Sequence, residues 1–409
     1  MSQPRSIVLA YSGGLDTSII IPWLKERYGA EVHAVCGDVG QGPEELEGLE
    51  AKAAASGAES CRVVDLKQEL VTEGLWPMLR ALAVYEGRYL LGTSIARPFL
   101  SKAQVEYARE VGADAVAHGC TGKGNDQVRF ELGFQALAPD LQVIAPWRMW
   151  DIESREDALD YADRMGIQVT ASREKIYSRD RNLWHISHEG GELEDPGCPP
   201  PEHVWTWTAD PRTAPEAGVR LRIGFEGGVP VSIDGKATEP VALIEQLNAI
   251  AAEHGVGRID IVENRLVGMK SRGLYETPAG TVLYAAAQHL RQLCLDVDSL
   301  RLADRLALEY ADLVYTGRWF CPVREALDAC FDRLCVPLNG EVQIELRRGQ
   351  AIPLAAVSGD GLYSEDLATF GASQGYRQAD AEGFIRLYGL PSKVAFGRDQ
   401  ALLQRKTQG

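Results

Sequence analysis

The chain has 409 residues, of which 45% are hydrophobic and 24% charged, with a formal net charge of −16 at pH 7. That length accommodates two domains and a large core, and the composition is that of a globular chain rather than a disordered or fibrous one. The acidic balance, with no clustered basic stretch, excludes a long nucleic-acid track, and no apolar run is long enough to span a bilayer.

Ser6-Ile7-Val8-Leu9-Ala10-Tyr11 is an apolar run that leads straight into Ser12-Gly13-Gly14-Leu15-Asp16-Thr17-Ser18. This reads as a buried strand, a tight turn and a helix N-terminus. Glycine lets the backbone approach a ligand, the first-turn N–H groups lack partners, and the helix dipole adds partial positive charge, so the turn suits an anion. Ser12, Thr17 and Ser18 add hydroxyl donors. No lysine follows the glycine pair, so this is not the common phosphate loop, nor is it G-x-G-x-x-G. SGGLDTS instead resembles the pyrophosphate loop of enzymes that split ATP into AMP and pyrophosphate. An ordinary strand–helix turn is the competing reading.

A helix follows over 16–28, with Pro22 inside it and a kink expected there. A strand over 32–38 ends in Asp38-Val39-Gly40-Gln41-Gly42-Pro43. Residues 44–56 read as one helix with Gly57 as its C-cap, and 61–66 as a strand. A long helical region is interrupted around Trp76-Pro77. The spacing then predicts a helix over 94–112 capped by Ser94, a strand over 114–118, a helix over 127–137, a strand over 141–145 and a helix over 154–165. Such alternation specifies α/β architecture, a parallel doubly wound sheet. Ligands of these sheets sit at the carboxyl ends of the strands, near the switch point. Three strand ends carry glycine and polar residues: 12–18, 37–42 and 119–129.

The third strand end holds Gly119, Thr121, Asn125, Asp126 and Arg129. Asn125 and Asp126 are helix-capping types, Arg129 falls one helical turn further on, and Phe130 and Phe134 would anchor the helix. The group suits a charged small molecule such as an amino acid. A capped helix with a solvated Arg and Asp fits the isolated segment equally well. Between these loops, Tyr85 to Ser94 places Tyr89 and Ser94 beside a turn and reads alone as a packed corner.

Near Gln168 the rhythm stops. Residues 176–191 read as irregular and polar, and 192–215 hold six prolines of an extended connection. Val219, Leu221, Ile223 and Phe225 alternate with polar residues, and Val229, Val231 and Ile233 continue the period after Gly227-Gly228, which predicts an antiparallel hairpin. A helix over 241–253 and a strand through Val342, Ile344 and Leu346 complete an α+β region. Residues 255–278 are dense in glycine and mixed charge, which alone favours a solvated surface. Phe384, Leu387 and Tyr388 form a helical stripe in the tail, as in an arm that docks elsewhere. The eight cysteines (36, 61, 120, 198, 294, 321, 330 and 335) form no C-x-x-C pair. With no signal peptide read at the N-terminus, reduced thiols in a cytoplasmic protein are expected.

Taken together, AYSGGLDTS (10–18), GQG (40–42), LLGTSIARP (90–98), AHGCTGKGNDQVRFE (117–131), APW (145–147), EGGELEDP (189–196) and GVGRIDIVENRLVGMKSRGLYETP (255–278) resemble the argininosuccinate synthase family over nearly the whole chain. The resemblance implies an ATP-pyrophosphatase nucleotide-binding domain over 1–168, a synthetase domain over 169–362 and an oligomerisation tail over 363–409. It implies the condensation of citrulline with aspartate, driven by ATP with Mg²⁺, through a citrullyl-AMP intermediate, in a homotetramer. By matching position, ATP falls to Ala10, Tyr11, Ser12, Gly13, Gly14, Leu15, Asp16, Thr17, Ser18, Gly37 and Gly119. Aspartate falls to Thr121, Asn125 and Asp126, and citrulline to Tyr89, Ser94, Asn125, Arg129, Ser178, Ser187, Glu263 and Tyr275. Asp126 and Arg129 are the candidates for catalysis. Two departures stand out: Gly37, where the family often has alanine, and Pro22 in the first helix. The rival functions are a tRNA-modifying ATP pyrophosphatase, which would want a basic face and cysteine pairs, and a non-catalytic nucleotide-binding regulator, which would not need 125–131 or 262–265.

Overall fold

Ile7, Val8 and Leu9 are wholly buried, so both faces of the first strand must be covered. The computed structural model, which describes residues 3–152, 154–167, 177–371 and 375–407, shows how. Strands β1 (Ser6–Ala10), β2 (Glu31–Asp38), β3 (Ser60–Asp65), β4 (Ala115–Ala117) and β5 (Gln142–Ile144) form a parallel sheet in the order β3-β2-β1-β4-β5. The intervening helices are α1 (Leu15–Tyr28), α2 (Pro43–Leu46), α3 (Leu49–Ala55), α4 (Lys67–Glu69), α5 (Trp76–Ala81), α6 (Gly92–Glu110) and α7 (Asp126–Leu137), with α8 (Arg155–Arg164) after β5. Ile7 and Leu9 pack with Ile20 and Ile21 of α1, while Val8 packs with Val105 of α6 and Phe130 and Phe134 of α7. The chain changes direction across the sheet between β1 and β4, and a crevice opens at their carboxyl ends.

Four local expectations need correction. The helix expected over 44–56 is two pieces, because Gly48 takes a left-handed φ of 72° between α2 and α3. That break directs Leu49 onto Gly13. The interruption near Trp76-Pro77 is a π-wound turn, Leu70–Leu75, that precedes Pro77 in the first turn of α5. Ser94 does not cap α6: the helix starts at Gly92, and Ser94 is fully buried within its first turn. Asn125 occupies the N-cap position of α7 without making a capping bond. Helix α1 runs through Pro22 to Tyr28, as expected.

The expected seam at 168/169 lies outside the described residues. Beyond it, the stretch read as irregular up to Gly191 contains a hairpin, β6 (Ser178–Arg181) and β7 (Ile186–Glu189). Its β6 sequence, Ser-Arg-Asp-Arg, has no apolar alternation because the strand borders a polar cavity. A second antiparallel sheet holds β8 (Val219–Glu226), β9 (Val229–Ile233), β10 (Lys236–Ala237), β13 (Gly340–Arg347) and β14 (Gln350–Val357), ordered β10-β9-β8-β13-β14. The predicted hairpin is β8–β9, and its Gly227-Gly228 corner has both φ angles positive, as a two-residue turn requires. The hairpin of β11 (Arg258–Asn264) and β12 (Lys270–Glu276) joins the earlier one in a four-stranded sheet, β11-β12-β7-β6. Helices α9 (Pro240–Glu253), α10 (Pro278–Cys294), α11 (Val297–Thr316) and α12 (Pro322–Leu334) complete this region. Its largest core joins α9, α10 and α11 to the inner faces of β8 and β13.

Residues up to Gly361 pack as one compact unit and those from Leu362 as a second. The second contains α13 (Glu365–Ala368), α14 (Asp380–Tyr388) and α15 (Leu390–Thr407). Among the described residues no helix is long and apolar enough to cross a membrane, and all eight cysteines are free.

Candidate active site

A cavity of about 730 Å³ opens at the carboxyl ends of β1, β2 and β4 and is closed on its far side by β6, β7, β11 and β12. On the first wall, the chain leaves β1 through Ser12, Gly13 and Gly14 and enters α1 with no side chain capping its first turn. The turn borders the cavity at Ser12, Gly13, Gly14 and Thr17. Ser12 and Thr17 brace the turn: the Ser12 N–H donates to Thr17 Oγ1 at 3.3 Å, and the two hydroxyls lie 3.2 Å apart. Below them, the Tyr11 and Ser18 hydroxyls share a hydrogen bond of 3.1 Å. Gly37 and Gly119 line the same wall. A β-carbon on Gly37 would sit 2.4 Å from Leu100 and 2.6 Å from Leu66. The glycine that departs from the family habit is thus matched by bulky neighbours.

The loop after β4 forms the floor. The Asn125 side chain, freed from capping, donates to the Tyr315 hydroxyl at 2.9 Å and accepts from the Leu266 N–H at 2.9 Å, tying the β4–α7 loop to the second region. Asp126 receives Arg97 Nη2 at 2.8 Å and Arg129 Nη1 at 2.7 Å. Burial alone would raise its carboxyl, but the two guanidiniums prevail and hold it at about 2. Arg129 is 4% exposed, lies over the Tyr315 ring at 4.9 Å and donates through Nε to the Tyr315 carbonyl at 2.8 Å. Arg97 also pairs with Asp180 of β6.

The second region supplies the remaining wall. Ser178 and Ser187 come from the β6–β7 hairpin, and Glu263 and Tyr275 from β11 and β12. Glu263 accepts from the Tyr275 hydroxyl at 3.1 Å and the Tyr315 hydroxyl at 3.0 Å. Burial raises its carboxyl despite those bonds and the nearby Arg129. Glu189, likewise raised by burial, binds Arg265, whose other nitrogen donates to the Lys123 carbonyl at 3.1 Å. Tyr89 stacks on Tyr275 with ring centroids 4.3 Å apart. The stretch 255–278, which its composition assigned to a solvated surface, is exposed at Val262, Val267 and Met269 but lines the polar cavity through Glu263, Arg265 and Tyr275.

Residues 6–168 match the family described as the arginosuccinate synthase N-terminal HUP domain, and residues 177–395 match the arginosuccinate synthase C-terminal domain. The chain belongs to the argininosuccinate synthase family. It is 58% identical over 395 residues to the argininosuccinate synthase of Idiomarina loihiensis, covering 97% of this chain and 98% of that one. Identity with the argininosuccinate synthase of Vibrio cholerae is 56%, with 99% of each chain covered. Identity with the chloroplastic argininosuccinate synthase of Arabidopsis thaliana is 55%, with 95% of this chain and 79% of that one covered. The parallel sheet described above is the HUP fold of the family's first half.

Of the positions that the argininosuccinate synthase pattern singles out, the cavity wall brings together all but four. Leu15 is in the core with Ile19 and Ala158. Asp16 lies in the first turn of α1. Ser18 lies one layer below, against Tyr11, and Ser94 is buried behind the wall. The charged wall residues that were missed include Arg97, Asp180, Glu189 and Arg265. Arg97, Glu189 and Arg265 stand inside the quoted family motifs, which was the available signal; Asp180 becomes a site residue only through the strand pairing.

Proposed function

We propose that the protein condenses citrulline with aspartate at the expense of ATP, releasing argininosuccinate, AMP and pyrophosphate. One observation carries the reading: a single cavity is bordered by the glycine turn of β1–α1 on one side and by Ser178, Ser187, Glu263 and Tyr275 on the other. A nucleotide tail held by the turn would have its α-phosphorus within reach of an amino-acid side chain held opposite. A ureido oxygen is a poor leaving group. Its attack on the α-phosphorus expels pyrophosphate and makes it part of AMP, a good one. The aspartate amine then attacks the ureido carbon, and AMP departs. The protein's part is positioning and charge stabilisation.

In this reading Gly13, Gly14 and the α1 N-terminus receive the phosphates, and Gly37 and Gly119 border the nucleoside. Arg129 suits a citrulline carboxylate and Glu263 its α-ammonium. Thr121, Asn125 and Asp126 lie on the aspartate side. Asp126, ionised between two arginines, positions them and is too weak a base to take a proton from an amine. Among the described residues no three metal-ligating side chains come together, so Mg²⁺ would enter as part of the ATP substrate, held by phosphate oxygens. The tail beyond Leu362 would join four copies, and the compartment would be the cytoplasm. Omitting each amino acid in turn tests the scheme. Without aspartate, citrulline should still support exchange of pyrophosphate into ATP; AMP should accumulate only with both. Nucleotide binding with no pyrophosphate release in the full mixture would favour a regulator instead.

A further inference from the structure

The ion network between the two amino-acid subsites contains a carboxylate with no task in the scheme above. Asp180 follows Ser178 by two positions in β6, so both side chains leave one face of the strand. The antiparallel register sets Asp180 opposite Ser187, which therefore shares that face. Asp180 is thus flanked by the two serines on the citrulline side. Through Arg97 it is joined to Asp126 on the aspartate side. The charged groups around it are Arg97 of α6, Asp126 and Arg129 of α7, and Glu189 of β7.

We propose that Asp180 is the general base of the condensation and takes a proton from the aspartate ammonium as its nitrogen approaches the adenylated ureido carbon. The proposal rests on the function inferred above. The attacking nitrogen enters as an ammonium and ends as one N–H of a guanidinium, so it sheds two protons. The first passes to the Asp180 carboxylate and frees the lone pair. That pair forms the N–C bond, the C–O bond to the phosphate breaks, and its electrons leave with AMP. The second proton departs on the AMP phosphate. Asp180 meets one guanidinium, that of Arg97, with its side chain 36% exposed at the cavity, and desolvation there raises its carboxyl, whereas Asp126 is held at about 2 by two arginines. Of the two, Asp180 is the better proton acceptor.

The test compares two rates in the full-length protein carrying Asp180→Asn. Citrulline-dependent exchange of pyrophosphate into ATP, without aspartate, reports adenylation; argininosuccinate formation reports condensation. Exchange should stay within about threefold, and condensation kcat should fall about 10²- to 10⁴-fold with the aspartate KM little changed. The residual rate should climb with pH between 7 and 9, by up to about tenfold per unit, as solvent takes over deprotonation. Should the Asn variant misfold, Asp180→Glu decides, with condensation about tenfold slower and exchange unaffected. A parallel fall of both rates, or condensation unaffected in either folded variant, overturns the proposal. Absence of exchange in the unsubstituted protein overturns the underlying function instead, so the two failures are distinct.

Discussion

Gly13 carries two separate demands. Its φ is 73°, and a β-carbon there would lie 2.3 Å from Leu49 Cδ2. Gly13→Ala should therefore raise the KM for ATP by about tenfold or more, from a left-handed penalty of about 1–2 kcal/mol plus the displaced turn. Adding Leu49→Ala removes the clash but not the strain, so recovery should be partial; an unchanged KM in the single variant would refute the assignment. His185 makes a different prediction. Its Nε2 is 2.8 Å from Thr93 Oγ1, its ring stacks behind Tyr275, and burial lowers its pKa from 6.5 to about 3. Between those values the unfolded chain binds a proton that the folded chain does not, so this residue makes stability fall as pH drops, by up to about 1.4 kcal/mol per unit. Urea midpoints from pH 6.5 to 4.5 should fall less steeply in His185→Gln than in the unsubstituted protein, and equal slopes would contradict the burial argument. Gly13 was legible because an anion turn needs its residue types in one contiguous string. His185 was not, since only its distant neighbours give it a role.

The β6–β7 hairpin is the element that composition hid. Its turn is organised by Asn182, whose side-chain oxygen accepts from the Trp184 and His185 N–H groups at 2.9 and 3.0 Å and whose amide donates to the Gly92 carbonyl at 2.8 Å. Asn182→Ala strands all three partners in a buried place and should cost about 3 kcal/mol, read as a lowered urea midpoint at pH 7. A loss below about 1 kcal/mol would mean that the turn is fixed by something else. By contrast, β8 and β13 were visible at once, because Leu221, Ile223 and Phe225 stand beside Val342, Ile344 and Leu346 on the buried face of one sheet. Alternation records a half-buried strand; a strand whose polar face lines a cavity leaves no such record. The same logic explains 255–278: charges that compose a site read as charges on a surface.

At the scale of the molecule, the parallel sheet and the four-stranded antiparallel sheet meet around one polar cavity, and the α/β rhythm of the first half and the α+β character of the second were readable in the sequence. The pairing of the two walls was not, because it rests on contacts such as Asn125 with Tyr315 and Arg265 with Lys123. In the second unit, Phe384, Leu387 and Tyr388 are 63%, 69% and 77% exposed, an apolar stripe that a subunit arm would cover. If the tail joins four copies as proposed, truncation after Gly361 should lower the number of chains per particle seen by sedimentation, and an unchanged number would refute the tail's role. The account's central claim is that the turn of Gly13 and Gly14 sets the α-phosphorus of ATP against the ureido oxygen of citrulline. Citrulline labelled with ¹⁸O in the ureido group tests it most directly. The account predicts that the label appears in AMP and not in pyrophosphate; unlabelled AMP, or label in pyrophosphate, would contradict it.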